Sequence, residues 1–229
     1  MLSENKTSRT SSVITIDGPA GAGKSTVAKR LAKELGYSYV DTGAMYRALT
    51  LKAMLESVDL LNEDLLVALA KKTVIDMENC ADGIKVLLDQ VDVSKEIRSI
   101  EVTNNTHYIA SAPKVRAIMV QWQRDIGGRK NIVVEGRDVG TVVFPKATYK
   151  FYLDANLDER SKRRIQELQE KGNQVEAEIL KLEMKQRDEK DITRKVGPLK
   201  QARDAVFIDS THLSIDEVVN KILSRIRNI

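Results

Sequence analysis

The stretch from Val13 to Gly36, VITIDGPAGAGKSTVAKRLAKELG, leaves the chain few ways to fold. It opens on Val13-Ile14-Thr15-Ile16, an apolar run that reads as a strand. Gly18, Pro19, Ala20, Gly21, Ala22, Gly23, Lys24 and Ser25 then satisfy G-x-x-x-x-G-K-[ST] without substitution. A helical pattern follows, with Val27, Ala28, Leu31, Ala32 and Leu35 on one face and Gly36 at the expected stop. A glycine-rich segment between a strand and a helix is the context of a phosphate-binding P-loop. Its glycines let the backbone wrap closely around phosphates with N–H groups pointing inward. The helix N-terminus adds the positive end of its dipole. In such a loop Lys24 brings a point charge to the β- and γ-phosphates, and Ser25 offers a hydroxyl to Mg²⁺.

Downstream, Tyr37 to Val40 reads as a second strand running into Asp41-Thr42-Gly43. A helix follows from about Ala44 to Ser57. Arg47 lies in its first turn, where a cation opposes the helix dipole and so calls for another partner; on pattern alone it reads as an ordinary surface arginine. Asn62 to Lys72 is a short helix. Residues 73–97 change texture: Val74 to Glu78 alternates, Asn79 to Gly83 is turn material, Ile84 to Leu88 returns, and Asp89 to Val93 gives a turn and a short strand. This is a small antiparallel insert, of the kind that often forms part of a second substrate site. Glu101 to Gly127 is helical in two pieces broken at Pro113, with His107 in the first and Trp122 on the apolar side of the second. Both read as structural residues.

Ile132 to Glu135 is a continuous apolar strand suited to a parallel sheet. It ends in Glu135-Gly136-Arg137-Asp138. Ligands of open α/β sheets bind at the carboxyl ends of strands, so these side chains should share a crevice with Lys24, with Glu135 available to Mg²⁺ or its water. The competing reading is a structural turn with an internal Arg137–Asp138 pair. Tyr149 to Leu153 is another strand. Residues 157–195 form two charge-dense helices, Leu157 to Lys171 and Gln174 to about Arg194, broken at Gly172-Asn173. Across 157–200 there are 12 Lys/Arg and 10 Asp/Glu, so this is no basic patch for nucleic acid. It reads as a solvated hairpin laced with i,i+4 pairs. The sharper reading is that Arg187, Asp191 and Arg194, at i, i+4 and i+7, share one face and bind phosphate and a ribose hydroxyl. Ala205 to Ser210 closes the set of strands, and Leu213 to Ile229 is a terminal helix.

The net charge of +4 is mild for a nucleic-acid binder and suits an enzyme of anionic phosphates. Cys80 is the only cysteine, which excludes an internal disulfide and fits a reducing compartment; it reads as a small packed residue. No apolar run reaches membrane-spanning length. Residues 1–12 lack the apolar segment of a signal peptide and read as a flexible tail. A soluble, cytoplasmic protein is expected.

Several stretches together resemble bacterial-type cytidylate kinases, which phosphorylate CMP and dCMP. They are ITIDGPAGAGKST at 14–26, DTGAMYR at 41–47 and EGRDVGTVVFP at 135–145, with RDEKD at 187–191 and DST at 209–211. The resemblance runs through nearly the whole chain past the tail. It implies an α/β P-loop fold: a parallel sheet core flanked by helices (13–72, 98–156 and 196–229), a nucleoside-monophosphate-binding insert (73–97) and a helical lid (157–195). It implies that Gly18 through Thr26 hold the phosphates of ATP, and that Ser25 and Glu135 serve Mg²⁺. Arg47, Arg137 and Arg194 would meet the CMP phosphate, Arg116 and Asp138 the cytosine edge, and Arg187 and Asp191 the ribose. Thr42 falls in the same substrate set. Lys24, Arg137, Arg187 and Arg194 would carry the transfer. His107 departs from the pattern, standing where the family commonly has a serine against cytosine; a histidine can still donate one hydrogen bond there.

The implied reaction is ATP + CMP → ADP + CDP, by a monomer with no nucleic-acid or membrane partner. Its nucleophile is an ionised phosphate oxygen, so no strong general base is required. The obstacle is repulsion between two anions, roughly 4 kcal/mol per unit-charge pair at 4 Å and an effective dielectric near 20. Several cations must therefore converge. Two rivals remain: a kinase of UMP or dTMP, and a P-loop switch or nucleic-acid-dependent ATPase. The absence of an N-K-x-D signature and of a strongly basic face weighs against the second.

Overall fold

The computed structural model describes residues 11–80, 83–170, 172 and 174–227. Most of the tail expected at 1–12, the tip of the turn expected at Asn79 to Gly83, Lys171 and Asn173 at the hairpin bend, and the last two residues of the terminal helix lie outside them.

The first strand, β1 (Val13–Asp17), is buried along its whole length. Its alternating side chains serve two layers, as a central strand of a parallel sheet requires. Ile14 and Ile16 pack with Val27, Leu31, Phe151, Val218 and Ile222. Val13 packs on the other side with Val40, Ile132, Val134 and Val143. The neighbouring strands are β2 (Ser38–Asp41), β6 (Ile132–Gly136), β7 (Tyr149–Asp154) and β8 (Val206–Asp209), in the parallel order β2-β6-β1-β7-β8. The register places Asp17 beside Gly136 on one side and Tyr152 on the other. The strands thus deliver their carboxyl ends to one edge, where Asp17, Asp41, Glu135 and Asp154 gather.

The helix after β1 is α1 (Lys24–Leu35), stopped by Gly36 in the left-handed conformation. The next, α2 (Thr42–Leu55), starts two residues earlier than its periodicity predicts, because Asp41 caps it by accepting from Ala44 N–H. Helices α3 (Glu63–Lys72), α4 (Ile100–Ser111) and α5 (Pro113–Gly127) follow, α5 with proline in its first turn. Residues of α2, α3, α4 and α5 form a second apolar cluster around Met45, Leu49, Leu66, Ile109 and Met119, with Trp122 packed at its edge. Helix α8 (Ile215–Arg227) opens with a reciprocal Ser214–Glu217 capping box.

The insert is a three-stranded antiparallel sheet, β3 (Ile75–Cys80), β4 (Gly83–Leu88) and β5 (Val91–Asp92). Val86 and Leu88 pack it onto Ala44 and Ala48 of α2, together with Val93 and Ile97. Cys80 is exposed, not packed as its residue type suggests. It stands at the outer end of β3, beyond the part of the insert that reaches the core. The charged hairpin is α6 (Leu157–Glu170) and α7 (Ala177–Thr193). Helix α7 begins three residues later than its pattern predicts. Arg194 lies just past it, at the C-cap and in extended conformation, so Arg187 and Asp191 share a helical face with each other but not with Arg194.

Candidate active site

The P-loop runs from Gly18 to Gly23 against two other elements. A Cβ on Gly18, at φ +151, would lie 1.9 Å from the Leu153 carbonyl oxygen of β7. One on Gly21, at φ +76, would lie 2.9 Å from the Arg160 carbonyl oxygen of α6. Only glycine allows that approach. Lys24 is buried, and its Nζ donates to the Pro19 carbonyl at 2.6 Å. Burial pushes its ammonium down to about 7, helped by repulsion from Arg137 and Arg187 and opposed by Glu135.

Ser25 Oγ donates to Glu135 Oε1, and Tyr39 Oη donates to the same oxygen at 2.8 Å. Among the described residues no group of three or more His, Cys, Asp or Glu forms a ready-made metal cage. A hydroxyl beside one carboxylate at the mouth of a phosphate loop is nevertheless the donor set Mg²⁺ takes when substrate phosphates and water supply the rest.

Arg47 finds the partner that its place near the helix start calls for. Asp41 caps α2 with one carboxylate oxygen and accepts from Arg47 Nη2 with the other, at 2.9 Å. Arg47 Nε is buried without a partner among the described residues. Thr42 Oγ1 donates to the Glu135 carbonyl at 2.7 Å and so ties α2 to the end of β6.

The internal Arg137–Asp138 pair does not form. Arg137 Nε donates to Asp191 Oδ2 at 2.8 Å, from core to hairpin. Burial opposes the Arg137 charge, but Asp191 and Glu135 raise its pKa on balance. Asp138 turns the other way, toward Arg116 and Arg194, the latter at 3.4 Å. Arg116 is 2% exposed, lies over the Tyr46 ring at 5.4 Å and also donates to the Ala110 carbonyl. Arg194 completes a bridge to Asp191 at 3.7 Å. Arg187 faces the same space but makes no hydrogen bond or ion pair among the described residues. Burial and the repulsion of Arg137 push it down to about 10.

His107, Ala110, Ser111, Lys190, Asp191, Thr193 and Arg194 line a cavity of about 210 Å³ between α4 and α7. The His107 Nδ1 lies 2.7 Å from the Asn104 carbonyl oxygen. A carbonyl only accepts, so Nδ1 carries the proton and Nε2 of the neutral ring is an acceptor. The donor expected at this position is thus spent within α4.

Sequence reasoning missed two residues that join the parts. Arg160, in the first turn of α6, donates to the Ala20 carbonyl of the P-loop at 3.0 Å and to Asp188 of α7 at 2.6 Å. The signal existed: Leu180, Met184 and Asp188 repeat at fours and are the buried residues of α7. Asp17 accepts from the backbone N–H groups of Val139 and Gly140.

A family model described as cytidylate kinase matches residues 14–228. A cytidylate kinase of Caldanaerobacter subterraneus subsp. tengcongensis is 49% identical over 214 residues, 93% of this chain and 94% of that protein. One of Bacillus pumilus is 50% identical over 210 residues, 92% of this chain and 93% of that protein. Among solved structures, an uncharacterized protein from Eubacterium ventriosum superposes with TM-score 0.54 at 13% identity, over 94% of this chain and 98% of that one. A gluconokinase from Sinorhizobium meliloti superposes with TM-score 0.50 at 14% identity, over 94% and 91%. At such identities the likeness is one of fold.

Proposed function

Because the chain belongs to the cytidylate kinase family, we propose that it transfers the γ-phosphoryl group of ATP to CMP and dCMP, giving ADP and the corresponding diphosphate. What supports this reading most is the meeting of Lys24, Arg137 and Arg187 around one space, with Arg187 unpaired among the described residues. Lys24 is buried and Arg187 half-buried, and the charge of each is disfavoured there by desolvation and by Arg137; arriving polyanions offset both.

The roles follow from the chemistry. Gly18 through Thr26 wrap the ATP phosphates, and Lys24 follows the charge that moves with the γ-phosphoryl group. Ser25 and Glu135 would hold Mg²⁺, which when bound would neutralise charge on the phosphate oxygens. Arg47, with a free Nε, and Arg137 and Arg194 receive the acceptor phosphate. Arginine suits this because its planar fork binds phosphate oxygens in pairs and stays charged. Arg187 and Asp191 meet the ribose side, and Arg187 also reaches the transferring group. Asp138 accepts from the cytosine amino group, held in place by Arg116, and His107 Nε2 offers a second acceptor. Catalysis is then positioning and electrostatic stabilisation without a general base.

The test is turnover with CMP, dCMP, UMP and dTMP side by side under saturating Mg-ATP. The proposal predicts kcat/KM for CMP and dCMP at least about a hundredfold above UMP and dTMP, because a site built to accept from an amino group leaves its own groups unpaired with a carbonyl. Equal or better turnover of UMP or dTMP would contradict it.

A further inference from the structure

Asp17 ends β1, is buried, and has no part in the transfer chemistry above. Its Oδ1 accepts from the Val139 N–H at 2.8 Å and its Oδ2 from the Gly140 N–H at 2.7 Å. No cation pairs with it among the described residues. Burial pushes its carboxyl up to about 6, against the pull of those two N–H groups; Asp138 repels it and Lys24 attracts it. A carboxylate is an unfavourable occupant of such a place unless its two bonds do something an apolar residue could not.

What they do is set by the backbone that follows Asp138. Residues Val139–Val143 form a single π-helical turn with Asp138 at its N-cap. The later N–H groups of this segment close onto the Asp138 and Val139 carbonyls. The first two have no acceptor within the turn, as at any helix start. An aspartate at the N-cap ordinarily accepts from them itself. Asp138 makes no such bond; its carboxylate faces Arg116 and Arg194. The capping is done instead from another strand, more than a hundred residues away in sequence.

We propose that Asp17 is a positioning residue for base recognition: by capping the turn in place of Asp138, it keeps the Asp138 carboxylate turned into the nucleoside crevice. The inference rests on the reading of Asp138 as the group that accepts from cytosine. If Asp17 lost one of its acceptor oxygens, an uncapped N–H would sit beside Asp138, and capping its own turn would compete with facing the base. Gly140 offers a second handle on the same contact. A Cβ there would lie 2.9 Å from Thr15 Oγ1, 3.2 Å from Asp17 Oδ2 and 3.4 Å from Lys150 Cδ, wedging Asp17 away from the turn.

The experiment compares Asp17→Asn, Gly140→Ala and Asp138→Asn with the parent protein, reading KM for CMP, KM for ATP, the CMP/UMP ratio of kcat/KM, and thermal unfolding. Asp17→Asn should lower the CMP/UMP ratio about tenfold, the scale of one lost hydrogen bond to a charged group, and raise KM for CMP. KM for ATP should stay within about twofold, since the P-loop is not displaced. Gly140→Ala should move the same parameters in the same direction. A purely structural Asp17 would lower the unfolding temperature and leave the ratio unchanged, which overturns the inference. If Asp17→Asn does not fold, Gly140→Ala decides alone, and an unchanged ratio there counts against the proposal. A ratio that survives Asp138→Asn removes the underlying reading of Asp138. A ratio lost in Asp138→Asn but kept in Asp17→Asn and Gly140→Ala removes the positioning role only.

Discussion

The Lys24 ammonium sits near 7 where a free lysine sits at 10.5, because it is buried among other cations. The unfolded chain therefore binds more protons than the native one between about pH 7 and 10.5, so this residue makes stability rise with pH across that window. Below it both states are protonated and the full penalty stands. Lys24→Met should accordingly keep or raise the unfolding temperature at neutral pH while abolishing nearly all transfer. Phosphates arriving beside Nζ reverse the balance and favour the charged form. Binding of ATP at pH 7.5 should then draw in protons, measured by calorimetry in buffers of different ionisation enthalpy, and Lys24→Met should remove that uptake. At Asp138 the same scale of argument gives a change of preference. An aspartate only accepts, whereas an asparagine amide also donates. Asp138→Asn should therefore lower CMP turnover and raise the relative turnover of UMP, whose ring carries a carbonyl in place of the amino group. A CMP/UMP ratio equal to the parent's would mean that Asp138 does not read the base. Residue-level expectations could be drawn from the residues themselves only where a motif fixed both identity and spacing, as at Lys24 and Ser25. Asp17 was not legible in this way, because its partners are backbone N–H groups and no side-chain pattern records them.

Among the elements, the hairpin α6–α7 was the one its composition described least well. Its balance of charge suggests a solvated surface, and most of it is that. Yet Leu180, Met184 and Asp188 are buried, and Arg160 joins the P-loop backbone to Asp188. A hydrophobic repeat this thin is hidden by the charges around it. The direction of Arg194 was also not readable, since it depends on the chain leaving the helix at that residue. The strands of the sheet were readable: β1 and β6, buried along their whole length, are short apolar runs bounded by turn residues, and the edge strand β8 keeps Val206-Phe207-Ile208 although Phe207 is exposed. The role proposed for the hairpin turns on Arg187. Among the described residues it makes no hydrogen bond or ion pair, and burial and Arg137 disfavour its charge. Arg187→Ala leaves no buried carboxylate stranded, unlike loss of Arg116, which breaks its buried pair with Asp138 at about 3–5 kcal/mol. The variant should unfold at the parent's temperature or slightly above. Its kcat should fall about a hundredfold or more, the scale of losing one preorganised charge at a transition state. A kcat within a few-fold of the parent's would return the hairpin to solvated surface.

At the scale of the molecule, the parallel sheet supplies a fixed floor and two attached parts bring the remaining charges. The insert rests on α2, which carries Arg47. The hairpin carries Arg187 and Asp191, and its Asp191 already pairs with Arg137 of the core. With the proposed roles, the transfer site would be complete only when ATP and CMP are both present to offset these cations, and water would thereby be kept from the γ-phosphoryl group. The most direct test is the rate of ADP release from Mg-ATP by the parent protein with and without CMP. CMP should raise it by at least about a hundredfold, with one CDP formed per ADP, as a site built for transfer and not hydrolysis requires. ADP release that CMP leaves unchanged, or that RNA stimulates in its place, would contradict the account.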